Sequence, residues 1–196
     1  MEAGILLALQ SARVAGVTQL MALISALGNA AFIWVVVAVI MLFFDEKRMC
    51  GILSLVSLAL AFVLCELILG PIVGRAHPFE AGIGVTAYYG VSHAGCTFPS
   101  IHAASSFAAA TVIAVMLGRH YGIPAVITAI LIAFSRLYLG MNYPTDVLAG
   151  IVLGFLIAIL VVWAFNTFFR SALLERIGTP KKNARRSVRD SRGFRR

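Results

Sequence analysis

Long runs with almost no charge decide what this chain can fold into. Five stretches, roughly 30–44, 51–73, 100–118, 123–140 and 145–168, are apolar enough and near enough to the length of a hydrocarbon core to be membrane-spanning helices. An earlier stretch, 4–28, contains Gln10, Arg13 and Gln19. A central Arg costs about 2.5–3.5 kcal/mol on insertion scales, so this segment reads as an interfacial or re-entrant amphipathic helix, with a sixth span as the alternative. The expected architecture is all-α: a polytopic membrane helical bundle of five spans plus an N-terminal amphipathic helix.

Composition agrees. Of 196 residues, 61% are hydrophobic and 12% charged, whereas charged residues make up about a quarter of an ordinary soluble domain. The net charge of +8 suggests nucleic acid until its position is read. From Arg170 to Arg196 ten Lys/Arg face only Glu175 and Asp190, while the first 169 residues hold six basic and six acidic side chains. The chain therefore divides into a neutral membrane-embedded body, 1–169, and a basic tail, 170–196, too polar to bury anything and expected to be disordered. No nucleic-acid partner is expected. Cys50, Cys65 and Cys96 show no metal-like spacing, and their odd number argues against a disulfide framework. Glu2 stands where a signal peptide would be basic, so no cleaved signal is expected.

The short loops set the orientation. Lys47 and Arg48 follow the first span, Arg119 follows the third, and the basic tail follows the fifth. With five spans these three places share one side, which the positive-inside rule makes cytoplasmic. A sixth span at 4–28 would move only the N-terminus. The opposite face then gathers Arg75, His77, Glu80, His93 and Cys96, with Ser100, His102, Arg136 and Asp146 at the adjoining helix ends. Three of the four histidines thus collect on one side.

Three constellations on that face could carry chemistry. Phe98-Pro99-Ser100-Ile101-His102 opens the third span: proline suits a first helical turn, the free N–H groups beside a Ser hydroxyl suit an anion, and His102 is placed to give or take a proton. In the stretch Ser135 to Asp146, Arg136 and Asp146 lie at the hydrocarbon boundary, where ionisable groups are by default functional. A planar guanidinium fork matches phosphate; alternatively the two neutralise one another as an ion pair. In Gly74-Arg75-Ala76-His77-Pro78-Phe79-Glu80, Arg75 is a second candidate anion ligand and His77 a second titratable group. Glu66, an intramembrane acid, is expected to pair with Arg75 or Arg136. Gly150 and Gly154 form a small-xxx-small pair suited to close helix packing, and Trp34 and Trp163 suit packing or interface anchoring.

Together these stretches resemble the type-2 phosphatidic acid phosphatase superfamily, whose site is shared with vanadium haloperoxidases and whose motifs are KxxxxxxRP, PSGH and SRxxxxxHxxxD. Here PSIH stands at 99–102 and SRLYLGMNYPTD at 135–146, in the family's order; the resemblance covers residues 16–168. It implies an all-helical membrane bundle that removes phosphate from lipids of the undecaprenyl diphosphate, phosphatidylglycerophosphate or phosphatidic acid type, without a metal or other cofactor. It implies that Ser100 and Arg136 bind phosphate, that His102 protonates the leaving group, and that Asp146 orients the nucleophile.

Three positions depart from the pattern. Asn142 stands at the nucleophilic His, and an amide cannot form a phosphohistidine; Gly70 and His77 stand at the Lys and Arg of the first motif. Losing the nucleophile removes the reaction path. Two readings follow: a degenerate member that binds an anionic lipid headgroup without turnover, or an enzyme in which His77 or His93 attacks while His102 acts as acid and Arg75 helps hold phosphate. A third, of another class, has His77, Glu80, His93 and His102 ligating a metal.

Overall fold

The computed structural model describes residues 1–88 and 96–169. His93 and the tail, 170–196, lie outside the described residues. Among those described, regular structure is helical throughout: α1 (Glu2–Ser11), α2 (Ala15–Leu27), α3 (Phe32–Leu42), α4 (Arg48–Val73), α5 (Ile101–Leu117), α6 (Arg119–Tyr138) and α7 (Pro144–Ala164).

The predicted spans 51–73, 100–118, 123–140 and 145–168 correspond to α4, α5, α6 and α7. Of these α4, α6 and α7 are individually long and apolar enough to cross a bilayer, α7 when followed through its last turn to Phe168; α5, with 17 residues, falls just short. The N-terminal part differs from expectation. The 4–28 segment is two helices rather than one, broken where Arg13 turns inward: its Nε donates to the Tyr138 carbonyl at 2.9 Å and its Nη1 to that of Thr86 at 3.0 Å. Those carbonyls take up two of the three guanidinium nitrogens, which a continuous apolar helix would leave to lipid, while the buried Nη2 has no partner among the described residues.

The predicted 30–44 span is the second limb of a bent pair. At about 1.5 Å per residue, the eleven residues of α3 reach only half of a ~30 Å hydrocarbon core. With α2 it makes a unit long and apolar enough to be a fourth candidate span, bent by 55°. The bend is a 3₁₀ turn, Asn29–Ala31, in which Ala30 (φ 48°) and Ala31 (φ 55°) are left-handed. Alanine holds that conformation at a cost of about 1–2 kcal/mol per residue, so the surroundings must impose it.

α5 is the central helix of the unit Met1–Val161. Ala103, Ala104, Ser105, Ser106, Ala108, Ala109, Ala110 and Thr111 are all buried in it. Without a hydrophobic drive between helices in lipid, such small residues allow close backbone approach. The α7 side answers in kind: a Cβ on Gly150 would stand 2.5 Å from the Ser100 carbonyl oxygen, and one on Gly154 would collide with that of Ala104. Trp34 donates to the Ser106 hydroxyl at 2.9 Å, so it serves packing. Leucine, isoleucine and phenylalanine side chains such as Leu20, Phe32, Ile127 and Leu148 point outward. The exposed apolar shell is what a lipid-facing surface requires.

In α4 the chain widens into a π-helix over Val63–Leu69 before closing again at Gly70–Val73. Pro71 explains this: it lacks an N–H, and its ring would clash with the carbonyl four residues back. Gly70 is needed at the rejoining point, because a Cβ there would lie 2.6 Å from the Cys65 carbonyl oxygen. The widened turns carry Glu66. From Val162 onward the chain forms a second unit, of which the described part is the end of the last helix, where Trp163 meets Phe168 edge-on.

Candidate active site

A cavity of about 340 Å³ opens among the helices, lined by the Gly28–Ala31 turn, by Phe62 and Glu66 of α4, by His77, Cys96, Ile101, His102, Arg136 and Asn142. The volume lies at the small end of ligand pockets and fits a headgroup rather than a whole lipid. Cys96 is a free thiol there.

Arg136, 3% exposed in the last turn of α6, is the fixed cation of the cavity. Its Nε donates to Asn142 Oδ1 at 3.0 Å and its Nη1 to Ser25 Oγ at 3.0 Å. No carboxylate among the described residues lies within ion-pair distance of it. The alternative of an Arg136–Asp146 ion pair is therefore not realised, and the reason is that Asp146 is engaged elsewhere. Its Oδ1 accepts from Arg75 Nη1 at 2.6 Å, and its Oδ2 accepts from Thr97 Oγ1 at 2.7 Å and from the Tyr143 N–H at 2.9 Å. Thr97 in turn accepts from Asn142 Nδ2, at its carbonyl (2.8 Å) and its hydroxyl (3.0 Å). A continuous line of bonds, Asp146–Thr97–Asn142–Arg136, orients the buried guanidinium.

Two imidazoles line the cavity. His102, one residue into α5, has Nε2 2.9 Å from Asn29 Oδ1. His77 has Nδ1 2.8 Å from the Met141 carbonyl oxygen and stacks on Phe79 with centroids 5.2 Å apart. A carbonyl accepts only, so the His77 proton sits on Nδ1 and the ring lone pair on Nε2 in the neutral form. Ser100 caps α5 by position, but its side chain makes no capping bond; its buried Oγ has no hydrogen-bond partner among the described residues. Pro99 precedes the cap rather than entering the first turn, because the Ser100 N–H is taken by the Asp146 carbonyl at 3.0 Å and the helix starts one residue later.

Arg75 is not among the cavity-lining residues. It bonds Glu2 Oε2 at 2.7 Å, Asp146, and Thr145 Oγ1 at 2.8 Å, and its guanidinium lies 3.8 Å from the centre of the Tyr143 ring. Burial works against its charge, but the bond to Glu2 and the field of two carboxylates outweigh that, so its pKa is raised. The expected partners of Glu66 are likewise corrected. Arg75 is occupied, Arg136 is held by neutral groups, and Glu66 forms no ion pair among the described residues. It faces the cavity instead. No three His, Cys, Asp or Glu side chains cluster as metal ligands among the described residues, so the set His77, Glu80 and His102 is not assembled; Glu80 accepts from the His77 backbone N–H at 3.2 Å.

Sequence reasoning missed Ser25, Asn29 and Thr97. The first two come from the N-terminal bent pair, whose Gly28 admits them to the site: a Cβ there would stand 2.9 Å from the His102 ring. The GN dipeptide interrupting an apolar run was the signal available.

Comparison with known proteins gives one consistent result. A profile described as the PAP2 superfamily matches residues 51–170. An undecaprenyl-diphosphatase from Sulfolobus acidocaldarius is 29% identical over 155 residues, 79% of this chain and 74% of the relative. A lipid A 4'-phosphatase from Bacteroides thetaiotaomicron is 34% identical over 115 residues, 56% of this chain and 51% of the relative. The crystal structure of a PAP2-type phosphatidylglycerolphosphate phosphatase from Bacillus subtilis superposes with a TM-score of 0.70 at 25% identity, covering 86% of each chain.

Proposed function

The chain belongs to the PAP2 superfamily, a membrane phosphatase family, and from that premise we propose that it removes phosphate from a membrane lipid phosphate or diphosphate in the cavity around Arg136. The observation that carries this reading is a buried arginine that faces a headgroup-sized cavity and has no carboxylate within ion-pair distance among the described residues. Such a fork, prepaid in orientation by Asn142 and Ser25, is suited to a phosphate dianion. The partnerless Ser100 hydroxyl at the α5 N-terminus adds a donor.

In the proposed reaction His77 Nε2 attacks phosphorus, the bond to the lipid oxygen breaks, and His102 gives that oxygen its proton. Water then cleaves the phosphohistidine, with His102 taking the proton back. Asp146 no longer orients the attacking ring directly; it holds Thr97, and through it Asn142 and Arg136. Arg75 acts at one remove, as the counter-ion of Asp146.

A second reading has a specific observation behind it. Asn142 spends both ends of its amide on Arg136 and Thr97, which suits a site built to hold a headgroup without turnover. Phosphate release from a panel of lipid phosphates by purified protein in detergent, beside His77→Ala, His102→Ala and Asn142→His, separates the two. Wild-type turnover lost in both histidine variants supports the enzyme. Activity appearing only in Asn142→His supports the binder.

In the same proposal the bundle crosses the membrane five times, with α2–α3 as one bent span and α1 at the interface. The body is 1–169, the tail cytoplasmic, and the cavity opens on the other face. The contact of Lys47 with Tyr121, at 3.1 Å between Nζ and the phenol oxygen, supports putting the two basic loops at one end.

A further inference from the structure

The cavity holds one charge that the proposed reaction does not use. Glu66, partly buried on the π-helical turns of α4, lines the same 340 Å³ space as Arg136 and has no hydrogen bond or ion pair among the described residues. Widening of the helix ahead of Pro71 sets this side chain, and Gly70 one turn further on has no side chain with which to answer it. His77 is also on the cavity wall.

A bare phosphate gains nothing from such a wall. An ionised carboxylate without an ion pair, sharing a site of low dielectric with a phosphate dianion, repels it. A ligand with phosphate at one end and an ammonium at the other satisfies both charges at once: the anion on Arg136, the cation on Glu66. We propose that the cavity is selective for a zwitterionic headgroup, a phosphate ester bearing a primary amine, with Glu66 as the residue that reads the amine. The inference rests on Arg136 holding the phosphate, as in the proposed function.

Titration calorimetry on the full chain in detergent tests it with three small probes: O-phosphoethanolamine, ethyl phosphate, which has nearly the same length but no amine, and inorganic phosphate. A charge-assisted bond to the amine gives O-phosphoethanolamine about a tenfold lower Kd than ethyl phosphate. Glu66→Gln, nearly isosteric, brings the two together, and Glu66→Lys reverses the order by supplying a second cation. Thermal unfolding of each variant, matched to wild type, shows that the bundle is intact. A short-chain phosphatidylethanolamine then separates the sources: tighter binding than the soluble probe assigns the amine to a lipid. Equal wild-type affinities for O-phosphoethanolamine and ethyl phosphate overturn the selectivity while leaving the phosphate site standing. Failure of all three probes to bind, with Arg136→Ala no different, overturns the phosphate site and the inference together.

Discussion

At the scale of single residues the site is organised around one guanidinium. Arg136 is buried, permanently charged and held by two neutral oxygens, so its free donors are already aimed when a ligand arrives. Arg136→Lys keeps the charge but loses the fork. It is expected to weaken phosphate binding by about tenfold or more in calorimetry and to lower thermal stability by about 1–3 kcal/mol, since the buried oxygens of Asn142 and Ser25 lose their donors although no ion pair is broken. Thr97→Val removes the link between Asp146 and Asn142 and should weaken the same binding, whereas Thr97→Ser restores it. Arg136, Asn142, His102 and Asp146 were legible in the sequence because SRLYLGMNYPTD and PSIH place them at helix ends. Ser25, Asn29 and Thr97 were not. They are uncharged, and their importance lies in which atoms they reach across 111, 73 and 49 residues of chain.

At the scale of elements, two features are open to test. α5 and α7 approach so closely that a methyl group on Gly154 meets backbone oxygen. Gly154→Ala should therefore destabilise the bundle by about 1–3 kcal/mol, measured by thermal unfolding in detergent. In the bend between α2 and α3, Ala31→Gly relieves a left-handed alanine and should stabilise by about 0.5–1 kcal/mol in the same assay. The α1 helix is fastened by Glu2, which accepts from Thr145 Oγ1 at 2.6 Å and from Arg75. The hydroxyl bond first, then the nearby guanidinium, hold its pKa below the usual carboxylate value. A depressed pKa means that the stabilisation is present above about pH 4–5 and lost as pH falls through the folded value. Wild type should exceed Glu2→Gln in melting temperature at pH 7, and the difference should vanish on acidification. The apolar runs gave α4, α5, α6 and α7 to within a few residues. They did not give the break at Arg13 or the bend at Asn29–Ala31, because both depend on partners elsewhere: carbonyls of Tyr138 and Thr86 in one case, the His102 ring in the other.

At the scale of the whole molecule, the proposal puts basic charge and chemistry at opposite ends. Lys47 and Arg119 lie at the ends of helices whose other termini carry the cavity, and the proposal sets that basic end in the cytoplasm with the tail. Protease added to the outside of intact cells should leave the tail uncut, and cleavage there would reverse the topology. The central claim is narrower: in the proposed reading the protein is a phosphatase that reacts through His77 and His102 although an amide, Asn142, stands at the usual nucleophile position. Removing a general acid costs typically 10²–10⁴-fold in rate. Phosphate release from a lipid phosphate by the purified protein measures it directly. Turnover by wild type, reduced by that order in His102→Ala and abolished in His77→Ala, is the result predicted; no release by wild type across the panel, with release by Asn142→His, would contradict it.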